Sequence, residues 1–126
     1  MTRSHLQIRL IAVLCGALAF GALRYAVAAN PDHVAAFRQT HQCPSCDLSH
    51  ANLAGLQAPN AKLANANLTG ANLYGGSLRG ADLSGAILDE ANLEMVNLSG
   101  ATGAVLGAAR TDARTTCPDG GAGPCR

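Results

Sequence analysis

The 126-residue sequence contains no tryptophan, two tyrosines and two phenylalanines, and charged residues make up only 13% of it. So small an aromatic content excludes a conventional core anchored on rings that each bury a large area. The shortage of charge, combined with 48% hydrophobic residues and a net charge of +1, excludes a solvated disordered chain, whose signature is the reverse. It also excludes a basic nucleic-acid binder. The length fits one domain. Ala, Leu, Gly and Asn dominate what is left, a composition suited to a narrow tube filled by small side chains.

Arg3 and Arg9 precede a 14-residue apolar run, Leu10 to Leu23, followed by Arg24, Tyr25 and Ala26-Val27-Ala28-Ala29. This is the pattern of a secretory signal peptide over residues 1–28, with Ala26 and Ala28 in the small-residue positions and cleavage after Ala28. As a helix the run spans about 21 Å, short of the ~30 Å hydrocarbon core, so no membrane anchor is expected. Cys15 lies inside the run behind Ala12-Val13-Leu14, a context that does not suit lipidation. Removal of this segment takes three arginines and no acid, leaving six basic against eight acidic residues. The expected location is periplasmic or secreted. Cys43, Cys46, Cys117 and Cys125 remain, an even number in a short exported chain, which reads as two disulfides. Three pairings are open.

Leucine occupies positions 48, 53, 63, 68, 73, 78, 83, 88, 93 and 98, with Ala58 filling the one gap in a strict period of five. Five residues of α-helix turn about 500°, which scatters such leucines around the circumference. In a strand an odd period alternates them between faces. A chain turning about 90° every five residues aims them all at one axis, so four pentads close a coil and coils stack at about 4.8 Å. Two residues before the leucines stand Ala51, Ala61, Ala66, Ala71, Ala81, Ala86, Ala91 and Ala101, small enough for a second inward position. Two residues after them, glycine recurs at 55, 70, 75, 80, 85 and 100, which suits tight corners.

The triplets Ala51-Asn52-Leu53, Ala66-Asn67-Leu68, Ala71-Asn72-Leu73, Ala81-Asp82-Leu83 and Ala91-Asn92-Leu93 resemble the unit A(D/N)LXX of the pentapeptide-repeat family. The resemblance covers residues 46 to 102 and implies an all-β fold: a short right-handed quadrilateral parallel β-helix of about three coils. Residues 29–45 then form an N-terminal cap, with a short helix over 31–40 and Phe37 as its plug, capped by Asn30 or Asp32. Residues 103–126 form a C-terminal cap or disulfide loop, because the repeats fade after Ala101. Some relatives mimic DNA, but they resemble long acidic rods, and no nucleic-acid partner is expected here.

Departures from the unit carry information. Leu56 and Ala58 give way one coil on to Gly76 and Leu78, a volume exchange that close packing favours. Asn52, Asn72 and Asn92 align in a ladder, Lys62 falls one coil from Asp82, and Ile87 replaces the polar residue expected in the column of Asn67. The favoured role for Ile87 is a local hydrophobic contact, with a small interaction site as the other.

The register extended backwards turns both Cys43 and Cys46 inward, which favours a bridge between them. A bridge from this end to Cys117 or Cys125 stays open. The alternative chemistry at Cys43 and Cys46 is thiol redox exchange or, with His41 and His50, zinc binding. Neither context suits it: no βαβ unit surrounds the motif, and exported thiols are oxidised. Asp89, Glu90 and Glu94 read as a solvated acidic face. No catalytic arrangement, cofactor or metal is expected. The sequence therefore describes a non-enzymatic exported structural or protein-interaction module. Its protein partner is unidentified, it has no membrane contact after signal cleavage, and it is a monomer or an end-to-end dimer.

Overall fold

The computed structural model describes residues 28–126. The signal-peptide reading and Cys15 fall in residues 1–27, outside that range.

Each pentad closes a four-residue turn. The small residue two places before the next leucine donates its N–H to the preceding leucine's carbonyl, as in Ala66 to Leu63 at 3.0 Å, Ala71 to Leu68 at 3.0 Å and Ala81 to Leu78 at 3.0 Å. The third turn residue has positive φ at every corner from Ser45 (58°) to Gly100 (71°). A side chain there is disfavoured, which explains why the position is so often glycine, although Ser45, His50, Asn60, Asn65, Glu90 and Met95 also adopt it. Space enforces the choice as well. A Cβ on Gly70 would lie 2.4 Å from Nδ1 of His50, the residue one coil away at the same corner.

Between turns, one residue per pentad pairs in parallel with the residue twenty positions on. The ladders run Gln42–Lys62–Asp82–Thr102, Asp47–Asn67–Ile87, Asn52–Asn72–Asn92 and Gln57–Ser77–Asn97. These four columns define four faces of a β-helix. Two residues of each pentad are spent on the corner, so each face keeps one bridging residue and, among the described residues, no strand of ordinary length forms.

The axis is filled by the leucines: Leu48, Leu53, Leu63, Leu68, Leu73, Leu78, Leu83, Leu88, Leu93 and Leu98 are all at most 2% exposed. Ala61, Ala66, Ala71, Ala81 and Ala91 are fully buried beside them. The exchange of Leu56 and Ala58 for Gly76 and Leu78 has a backbone cause that volume alone does not supply. A Cβ on Gly76 would sit 2.8 Å from the Leu56 carbonyl and 3.0 Å from that of Leu73, and Leu56 itself is only half-buried.

Helix α1, Pro31–Thr40, lies against the first coil. Asn30 is its N-cap, with Oδ1 accepting from the N–H groups of Asp32 (2.9 Å) and His33 (3.4 Å), and Pro31 occupies the first turn, where no N–H is needed. Phe37 is fully buried in the core. The helix also supplies polar partners to the edge of the first coil. Thr40 Oγ1 accepts the Gln42 N–H at 3.2 Å, His33 Nδ1 accepts the Asp47 N–H at 3.0 Å, the Asn30 N–H donates to the Asp47 carbonyl at 3.2 Å, and Arg38 donates to the Asn52 carbonyl. Three of the four columns thus end on α1. The fourth, at Gln57, has no such partner among the described residues.

The far end departs from the sequence pattern. The repeats fade after Ala101, yet pairing continues with a shortened register: Asn92 bridges Arg110 and Asn97 bridges Thr116. Leu106 joins the core at 6% exposure. Thr116 then pairs antiparallel with Ala122, folding the tail back, and Cys117 is joined to Cys125.

Candidate interaction faces

What the outward polar residue does follows from counting donors in one pentad. Ala66 N–H goes to the Leu63 carbonyl, Asn67 N–H to Cys46 in one neighbouring coil, Leu68 N–H to Ile87 in the other, and Gly70 N–H to Asp89, all between 2.8 and 3.0 Å. The remaining donor, Thr69 N–H, faces no carbonyl. Asn67 Oδ1 accepts it at 3.0 Å, bending back two residues in an Asx turn. The same bond recurs from Ser49 to Asp47, Tyr74 to Asn72, Ser84 to Asp82, Glu94 to Asn92 and Ser99 to Asn97, at 3.0 to 3.1 Å. Where glutamine replaces Asn or Asp, at Gln42 and Gln57, the residue two places on is Pro44 or Pro59. Proline has no N–H to satisfy.

Lys62 breaks this rule, since the Ala64 N–H meets no side-chain acceptor, and so does Ile87. Ile87 pairs with Asn67 in its column, is 48% exposed, and leaves the Asp89 N–H without a side-chain acceptor. Half of the side chain faces solvent, because the column points outward. Ile87→Asn is expected to raise stability by about 1 kcal/mol, the net worth of one added hydrogen bond. Urea unfolding checks this, and an unchanged or lower midpoint would show that Ile87 is held by packing.

Three aspartates titrate below their ordinary value of 3.8. Asp47 is held down first by the Ser49 hydroxyl and then by the Ser49 N–H, and Asp82 by the same two groups of Ser84. Lys62, one coil away in the column of Asp82, contributes least. Asp112 is lowered chiefly by the Met95 N–H, which its Oδ1 accepts at 3.0 Å. Carboxylates depressed in the folded state add stability above their unfolded pKa, and that stability is lost as pH falls through the folded value. The melting temperature is thus expected to hold from neutral pH down to about 5 and to fall below about 4. In Asp47→Asn/Asp82→Asn the fall is expected to be shallower, because an amide oxygen still accepts the turn bond but does not titrate. Equal slopes in both proteins would refute this cause.

Asp112 and Thr115 have no counterpart in the repeat unit. Thr115 is 1% exposed, and its Oγ1 lies 2.9 Å from both Asp112 Oδ1 and the Leu93 carbonyl. Together they replace the rung that the shortened register would leave open. Their Asp-x-x-Thr spacing is a turn-type signal, but without the five-residue period it carries no address. Arg110 Nη2 reaches Glu94 Oε1 at 2.7 Å, an exposed pair worth at most ~1 kcal/mol. The acidic face of Asp89, Glu90 and Glu94 is thereby reduced to two uncompensated carboxylates.

Cys43 is bonded to Cys46, with Cα atoms 5.3 Å apart, and Cys117 to Cys125, at 5.5 Å. No bridge joins the two ends. With both sulfurs of the first motif bonded to each other, neither is a thiolate ligand. His41 ends α1 in the left-handed conformation and His50 stands at the Gly70 corner. Among the described residues no group of three or more His, Cys, Asp or Glu side chains could hold a metal ion, so the four-ligand zinc arrangement is withdrawn. No described helix is long and apolar enough to cross a membrane.

A family model for pentapeptide repeats matches eight copies, over residues 46–85 and 66–102. Residues 46–102 belong to the pentapeptide-repeat family. Among similar solved structures is HetL, a pentapeptide-repeat protein involved in heterocyst differentiation regulation in Nostoc sp. strain PCC 7120. It is 37% identical with a TM-score of 0.38, over 65% of this chain and 40% of HetL. A pentapeptide-repeat protein of Cyanothece 51142 is 33% identical with a TM-score of 0.30, over 59% of this chain and 52% of that one. A third, from the Arabidopsis thaliana thylakoid lumen, is 26% identical with a TM-score of 0.27, over 71% and 69%. The chain spans less than two thirds of the length of the first two pentapeptide-repeat proteins. No curated protein matches it.

Proposed function

We propose that the chain is an exported, non-enzymatic pentapeptide-repeat module that binds another protein through its outer faces. In this proposal the tube is a right-handed, four-faced β-helix of about three regular coils. It is closed by α1 at one end and by the loop through Cys125 at the other, and it resides in the periplasm or is secreted. The observation that carries the proposal is the division of labour within the pentad. The inward leucine and alanine fill the axis, the outward Asn or Asp holds the turn, and the residue after the leucine is exposed, its side chain free of the turn, at Tyr74, Arg79 and Asp89. A rigid scaffold presenting substitutable side chains suits recognition more than chemistry. Two disulfides and the signal-like start support export.

The test is fractionation of cells producing the full chain, followed by N-terminal sequencing and thiol counting. The expected product is exported, begins at Ala29, and has four cysteines that react only after reduction. A cytosolic chain with reactive thiols would overturn export. Thiol–disulfide turnover that disappears in Cys43→Ser would overturn the non-enzymatic reading.

A further inference from the structure

We propose that Ile87 and Val105 form the seat for an extended protein segment carrying a branched apolar residue flanked by lysine or arginine. The proposal deepens the interaction reading and rests on it, while naming one face and one class of partner.

Ile87 is the one apolar residue in the turn-holding position of its column, where Asp47 and Asn67 precede it. It gives up the acceptor for the Asp89 N–H and exposes half of a branched side chain. Departures from a local rule on both counts concentrate at functional sites. The next coil repeats the departure. Asn92 pairs with Arg110, so the offset there is eighteen, and a Cβ on Gly107 would lie 3.5 Å from Asp89 Oδ1. At that same offset Val105 corresponds to Ile87, beyond the end of its bridged ladder, and Val105 is 74% exposed, the most open large apolar residue described. Two exposed branched apolar side chains therefore fall at matching positions of successive turns of the chain.

The charge beside them selects the partner. Asp89 and Glu90 occupy the adjoining corner, both exposed, with no hydrogen bond or ion pair engaging either carboxylate. The basic side chain within one coil, Arg110, is already paired with Glu94. An apolar residue on Ile87 and Val105 would thus place its chain neighbours beside two free negative charges, which favours lysine or arginine there and disfavours acids. A nucleic acid would meet the same charges as repulsion.

The test selects phage-displayed random peptides of about 12 residues on the immobilised protein and measures the affinity of selected peptides by titration. The expected sequences share Val, Ile or Leu next to Lys or Arg. Their affinity is expected to fall at least about tenfold in Ile87→Asn and in Asp89→Asn/Glu90→Gln, and to be unchanged in Gln57→Ser on another face. Because Ile87→Asn is expected to melt no lower than the parent, a loss of binding in it is not a loss of fold. Selected peptides without the basic–apolar pattern, or equal binding by Ile87→Asn, would overturn the proposal. So would self-association abolished by Ile87→Asn, since the seat would then belong to a second copy. Such a failure leaves export and disulfide status untouched, whereas a cytosolic or redox-active chain defeats the broader reading whatever the peptides show.

Discussion

Leu73→Ala is expected to destabilise the protein by about 2–5 kcal/mol, the range for truncating a buried leucine. Leu73 is 1% exposed and stands in one axial column between Leu53 and Leu93. The cost belongs at the upper end because this site cannot collapse. Its backbone is fixed by Leu73 N–H to the Asn92 carbonyl at 2.9 Å and by Asn72 N–H to the Ala51 carbonyl at 2.9 Å, and those rungs hold the columns apart when a side chain shrinks. Leu73→Met keeps the volume and is expected to cost less than about 1.5 kcal/mol. Urea titration of both variants separates the cases. A loss below about 1 kcal/mol for the alanine variant would mean that the axis repacks, contrary to the rung geometry.

The second large effect is expected from Cys117→Ser/Cys125→Ser. Closing a loop with a sequence separation of 8 stabilises by about 2.5 kcal/mol in the chain-entropy account, against about 2 kcal/mol for the shorter Cys43–Cys46 loop. The effect should also be local. The tail from Thr116 is held by one antiparallel bridge to Ala122 and by the Gly123 N–H to Thr115 carbonyl bond at 2.7 Å, and Cys117 is itself buried. Without the bridge, limited proteolysis is expected to cut first between residues 117 and 126 while the coils stay intact. Simultaneous cleavage throughout the chain would show that the tail and the coils unfold together.

The repeat and its family were legible because the same few bonds recur in every pentad, so one side-chain rule is written many times over. Leu48 through Leu98 announce the axis, and Asn67, Asp82 and their equivalents announce the corner. The end segments were harder to read. Leu106 and Thr115 are buried although no period marks them, since the offset shrinks from twenty to eighteen at Asn92–Arg110 and nineteen at Asn97–Thr116, which moves them out of phase. The closing role of α1 was read only through Phe37, while His33, Arg38 and Thr40, which meet the open edge of the first coil, look in sequence like ordinary surface residues. Ile87 stands out in sequence as a departure, but its exposure follows from its column, in which no bridge continues beyond it.

Thus local chemistry written in the chain fixes how each pentad turns and which side chains face the axis, because those bonds close within five residues or repeat unchanged every twenty. How the tube terminates and which outer residues stay free were decided only when coils came together. Those outcomes depend on partners distant in sequence, brought within bonding range by stacking that no local pattern encodes.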